Sequence, residues 1–145
     1  MTGKTVKQVA EILNIPKSTL RYYDKVDLLK PTRKENGYRV YQELDLIMIK
    51  YILVMKYGEF SLEEMQLILK MMGVETTASC KEQTERLIDS KKKFFQDKID
   101  YYKQMLSLFE KIPEINDFNV EDESKIDRYI EEIYQMISEN GTMDQ

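Results

Sequence analysis

From Cys80 to Ile112 the chain runs thirty-three residues without a glycine or a proline, and no other stretch limits its fold as strongly. Apolar residues recur within it at Ile88, Phe95, Ile99, Tyr102, Leu106 and Phe109, in steps of seven, four, three, four and three. Steps of this kind mark one stripe along an α-helix and keep the average spacing of a coiled-coil seam. At 1.5 Å per residue such a helix is roughly 50 Å long. A lone rod of that length has nothing of its own against which to bury the stripe. Folding back onto an N-terminal domain is one solution. Pairing with a second copy is preferred, because two-fold dimers dominate homo-oligomers. The seam residues are therefore expected to form a homodimer interface.

The rest of the chain must supply a head for this rod. With 42% hydrophobic and 33% charged residues, 145 residues suit one domain plus an extension, rich in helix. No apolar run is long enough to span a bilayer, and Met1-Thr2-Gly3-Lys4 is followed by no signal-peptide core, so a cytoplasmic protein with no membrane partner is expected. The single cysteine, Cys80, excludes an internal disulfide framework. The absence of histidine removes the commonest general base and metal ligand together, and five glycines form neither a P-loop nor a dinucleotide fingerprint. An enzyme, a resident metal and a cofactor are accordingly not expected.

Charge divides along the chain. Residues 1–42 hold 9 basic and 4 acidic side chains, whereas the residues after Pro113 hold 2 basic and 10 acidic. A net charge of −4 thus hides a cationic head, the footprint of a polyanion-binding surface.

Local patterns give that head a shape. Thr5 is a plausible N-cap, and Val6, Val9, Ala10 and Leu13 follow at helical spacing until Asn14-Ile15-Pro16 breaks the helix. Ser18 is expected to cap a second helix over 18–26, with Leu20 inward and Lys17, Ser18, Arg21 and Tyr22 outward. Two short helices joined by a tight turn describe a helix-turn-helix. Leu28-Leu29-Lys30-Pro31 and Glu35 to Tyr41 are expected to pair as a wing around Asn36-Gly37, in a type I′ hairpin with both central residues at positive φ. A third helix follows over 42–57, with Leu44, Ile47, Met48, Tyr51, Ile52 and Met55 buried against the first two. Ser61-Leu62-Glu63-Glu64 is a capping box that opens a fourth, with Met65, Ile68, Leu69 and Met72 inward.

Thr5-Val6-Lys7-Gln8-Val9-Ala10, Leu20-Arg21-Tyr22-Tyr23-Asp24, Leu28-Leu29-Lys30-Pro31, Asn36-Gly37-Tyr38-Arg39-Val40-Tyr41 and Phe60-Ser61-Leu62-Glu63-Glu64-Met65 together resemble the MerR family of bacterial transcription regulators. The likeness keeps order and spacing over residues 4–72; beyond them only a long helix is shared. It implies a mainly α fold: a winged helix-turn-helix DNA-binding domain (1–75), a dimerisation helix paired as an antiparallel coiled coil (76–112), and an acidic C-terminal segment with a short amphipathic helix (113–145).

In a major-groove pose Lys17, Ser18 and Arg21 reach base edges or phosphates, and the Tyr22 and Tyr23 hydroxyls donate to phosphate. The resemblance extends DNA contact to Arg33, Lys34, Tyr38, Arg39 and Tyr41 of the wing. It also implies an effector-responsive homodimer that binds promoter DNA with an overlong spacer and bends and untwists it for RNA polymerase. The rival reading is an effector-independent, excisionase-like DNA-bending protein, which would have little use for the long helix.

One departure from the family falls in Tyr57-Gly58-Glu59-Phe60, where relatives carry glycine directly before the apolar residue and this chain has Glu59. Cys80 resembles the first thiolate ligand of metal-sensing relatives, but residues 113–122 hold no second cysteine. It is read as an inert small residue, with a reactive thiol at a helix N-terminus as the alternative. Residues 114–123 are expected to be an acidic loop after Pro113. An amphipathic helix through Ile126, Ile130, Ile133 and Ile137 then ends before Gly141. Its small-molecule effector, if drug-like and cationic, would meet Tyr101, Tyr102, Phe109, Phe118, Tyr129 and Tyr134; as packing residues these aromatics need no ligand.

Overall fold

The structure is a computed structural model that describes residues 3–72, 77–112 and 117–139. Its elements in chain order are α1 (Val6–Leu13), α2 (Lys17–Lys25), β1 (Thr32–Arg33), β2 (Arg39–Val40), α3 (Glu43–Tyr57), α4 (Leu62–Met71), α5 (Ala78–Lys111) and α6 (Val120–Glu139). The chain divides into two units, residues 1–87 and 88–145.

Within the first unit, α1 starts because Thr5 Oγ1 accepts from Gln8 N–H at 3.2 Å while Gln8 Oε1 accepts from Thr5 N–H at 2.8 Å. This reciprocal cap satisfies two of the amides a helix start leaves bare. Asn14, at φ 52°, ends α1 in the left-handed region. The cap expected at Ser18 is not used: α2 begins at Lys17 with Pro16 as N-cap, which leaves the Ser18 side chain exposed on the first turn.

The wing forms, with its strands shifted from the expected segments. Leu28 and Leu29 N–H both donate to Tyr23 O, at 2.9 and 3.2 Å, to finish α2, and Pro31 has no N–H to donate. Pairing therefore begins beyond Pro31, with Thr32 opposite Val40 and Arg33 opposite Arg39. The turn is not type I′, since Gly37 alone of its residues has positive φ, at 83°. Gly37 N–H donates to Lys34 O at 2.8 Å and Lys34 N–H to Tyr38 O at 2.9 Å, the arrangement of a three-residue connection closed by a glycine bulge. Lys4 and Tyr41 exchange N–H···O bonds of 2.8 Å, which draws the start of the chain onto the end of β2. The approach is so close that a Cβ on Gly3 would meet Val40 Cγ1 at 2.0 Å.

The core of this unit gathers Val9, Ala10, Leu20, Tyr23, Leu28, Tyr41, Leu46, Ile49, Ile52, Met55, Met65 and Leu69. The inward face of α3 differs from expectation: Leu46 and Ile49 are buried with Ile52 and Met55, while Leu44, Ile47 and Tyr51 are exposed. Met72, the C-cap of α4, is exposed as well. The Ser61–Glu64 capping box of α4 forms as expected, with bonds of 3.2 and 2.8 Å. In the turn before it Glu59 takes the left-handed conformation, φ 60°, that glycine would fill without strain.

Helix α5 has 34 residues, roughly 50 Å of rod. Cys80 is buried in its first turn. All six seam residues, Ile88, Phe95, Ile99, Tyr102, Leu106 and Phe109, are exposed in the single chain. Helix α6 meets α5 where Lys111 Nζ lies 4.0 Å over the Tyr129 ring, with Leu108 and Ile133 buried. It begins earlier than expected, because Asn119 caps it: Asn119 Oδ1 accepts from Glu121 and Asp122 N–H at 2.9 and 3.1 Å. Glu121, Asp122 and Glu123 thus occupy a first helical turn, where negative charge complements the helix dipole, rather than a loop. The expected stops at Pro113 and Gly141, and the boundary between residues 75 and 76, lie outside the described residues. Among the described residues no helix is long and apolar enough to cross a membrane, and no group of three His, Cys, Asp or Glu is placed to hold a metal ion.

Candidate nucleic-acid interface

The Lys4–Tyr41 pairing brings three pieces of chain together: the first turn of α1, the first turns of α2, and the tip of the hairpin. They enclose a cleft of about 560 Å³ lined by Thr5, Val6, Lys7, Lys17, Arg21, Asn36, Gly37, Tyr38 and Arg39. Four of these side chains are cationic and none is acidic. The N-terminus of α1 adds partial positive charge from its aligned peptide dipoles. The charge of this surface complements an anion, and its four cationic side chains lie on α1, α2 and β2.

Of the residues expected to contact DNA, Lys17, Arg21, Tyr38 and Arg39 share this cleft. Ser18, Tyr22 and Lys34 are exposed beside it on α2 and the hairpin. With nine residues α2 is about 13 Å long, and the diameter of a helix with its side chains, about 10–12 Å, matches a major groove roughly 12 Å wide.

Tyr23 and Tyr41 are not surface residues. They are 2% and 1% exposed, so neither can reach a ligand on the outside, and the expectation of DNA contact is corrected for both. An aromatic ring in a domain this small is worth more to the core than to the surface. Both hydroxyls are buried with no hydrogen-bond partner among the described residues, and burial pushes both phenols above their ordinary value of 10.0.

Arg33 and Arg39 are held in place before any ligand arrives. Asp24, in the last turn of α2, accepts from Arg33 Nη2 at 2.8 Å and from Arg39 Nε at 2.6 Å. Lys7 and Thr5 were not among the expected contacts. Lys7 is a single basic residue on an ordinary amphipathic helix, and only the fold places it in the cleft. The loop at Glu59 contributes nothing to the cleft lining.

Comparison with known proteins bears on the same residues. Residues 5–41 match the profile described as MerR family regulatory protein, a span that contains the cleft. Over 88 residues, 60% of this chain and 34% of the relative, the chain is 36% identical to the HTH-type transcriptional regulator SkgA of Caulobacter vibrioides. It spans about a third of the length of the first curated relatives it matches. Among solved structures it is similar to a MerR family transcriptional regulator from Bacillus cereus, with TM-score 0.59 and 27% identity over 90% of this chain and 98% of that one. It is also similar to HiNmlR, described as a MerR family regulator lacking the sensor domain and bound to promoter DNA. That likeness has TM-score 0.64 and 26% identity over 75% of this chain and 86% of the other.

Proposed function

We propose that the chain is a member of the MerR family of regulatory proteins, which residues 5–41 match, and that it is a homodimeric transcription regulator that binds a two-fold promoter element in double-stranded DNA. The observation that carries this reading is the acid-free cationic cleft between α1, α2 and the hairpin. Lys7, Lys17 and Arg39 neutralise phosphates there, while Arg21 and Ser18 on the outer face of α2 read base edges. Lys34, Tyr22 and Tyr38 flank them.

The exposed seam of α5 supports the dimer. Six apolar side chains in one helical stripe are stable in water only when covered, and a self-complementary two-fold interface covers them all at once. Two heads on one rigid rod hold DNA in a bent and untwisted form and recover the deformation energy through their contacts. RNA polymerase then engages both promoter elements. This is the family's mode of action carried to this chain, with an effector whose chemistry the cleft does not specify. The similarity to HiNmlR, described as bound to promoter DNA, supports the DNA-binding part of this reading.

Footprinting upstream of the chain's own gene tests the proposal. Symmetric protection inside a promoter spacer is expected. Non-specific coverage would make the protein an architectural bender, and no protection at all would refute DNA binding.

A further inference from the structure

One carboxylate joins the two halves of the interface. Asp24 belongs to α2, its side chain is 11% exposed, and a single oxygen, Oδ2, takes both the Arg33 and the Arg39 bonds. Arg33 and Arg39 lie opposite each other across β1 and β2, where two like charges would destabilise the strand pair. The shared carboxylate removes that repulsion. Arg33 Nη1 also donates to Gly37 O at 3.0 Å, so the linkage runs unbroken from α2 through Arg33 to the hairpin tip. Arg39 engages Asp24 only through Nε, and its two terminal nitrogens have no other hydrogen bond among the described residues. Its guanidinium thus lines the cleft with donors to spare, in an orientation set by Asp24.

We propose that Asp24 is a positioning residue for DNA binding: an acidic side chain that strengthens the grip on a polyanion by locking the wing to the recognition helix and aiming Arg39 into the cleft. The inference rests on the DNA-binding reading above. Its signature is the sign of one effect. Deleting a negative charge from a phosphate-binding face tightens binding if charge alone matters. Deleting this one weakens it, because ordering the wing then falls to the DNA.

The test uses the full chain. A duplex is first selected from a random-sequence pool by the wild-type protein, and affinities for it and for an unrelated duplex are then read by fluorescence anisotropy across a salt series. Glu11→Gln, at an exposed position on α1, supplies the same gain in charge without touching the clamp. It is expected to bind the selected duplex at least as tightly as wild type. Asp24→Asn is expected to bind it at least fivefold more weakly while changing less than twofold on the unrelated duplex. Arg33→Lys keeps the charge but cannot hold Asp24 and Gly37 together, and is expected to lose threefold or more with an unchanged salt slope. Should Asp24→Asn melt without cooperativity, Arg33→Lys decides: wild-type affinity there overturns the proposal. A wild type that selects a duplex and an Asp24→Asn variant that binds it as tightly as Glu11→Gln overturns the clamp alone. A wild type that enriches no duplex overturns the regulator reading and the clamp with it.

Discussion

Truncation of Leu106 isolates the contribution of the α5 seam. Leu106 is 62% exposed in the single chain, so more than half of its side-chain surface is available for burial by a partner. Full burial of a leucine stabilises by about 1.5–3 kcal/mol, which puts the exposed share at about 1–2 kcal/mol. A two-fold interface uses the residue twice. Allowing for the methyl that alanine keeps, Leu106→Ala should cost the dimer about 2–3 kcal/mol, a rise of roughly 30- to 150-fold in its dissociation constant. The variant protomer should keep its helix content, because the removed atoms face water in the free chain. Sedimentation equilibrium over a dilution series reads the constant directly, with far-UV circular dichroism as the control. A dimer that dissociates at the same concentration as wild type would refute the assignment of the seam, and a wild type that is monomeric throughout would refute the dimer.

Arg21→Ala should weaken operator binding at least tenfold while leaving the melting temperature unchanged, since Arg21 is exposed on α2; a salt titration with unaltered affinity would remove it from the site. Tyr23→Phe and Tyr41→Phe should each stabilise by about 1 kcal/mol, because a buried unpaired hydroxyl costs about 1–3 kcal/mol, and both should bind DNA as wild type does; calorimetry and anisotropy check the two halves. The same tyrosines predict a loss of stability in alkali. Burial raises both phenols above 10.0 in the folded chain, so above pH 10 the unfolded chain binds fewer protons and stability falls until the folded values are passed. Urea melts from pH 9 to 11 should show that fall in wild type and a shallower one in the double phenylalanine variant.

What the sequence determined by itself was local. Thr5, Asn14 and Ser61 set helix ends through bonds that span three or four residues, and the same short range is why these caps are legible in one dimension. The heptad steps of α5 likewise marked their stripe without help, because they recur at three, four and seven residues through a run that no glycine or proline interrupts. Helix α3 could not be read this way. Eleven of its fifteen residues are apolar, so periodicity offers several stripes, and packing against α1, α2 and α4 chose Leu46 and Ile49 over Leu44 and Ile47. The wing was misaligned for a related reason: whether Leu28 and Leu29 serve a strand or a helix end depends on which carbonyls lie within reach, and Tyr23 O was nearer. Tertiary structure alone decided that Tyr23 and Tyr41 belong to the core, that Lys7 joins the cleft, and that Asp24 grips arginines 9 and 15 residues away. Contacts through space carry no periodic mark on the chain; they exist only once the hydrophobic core has fixed where each helix and strand must lie.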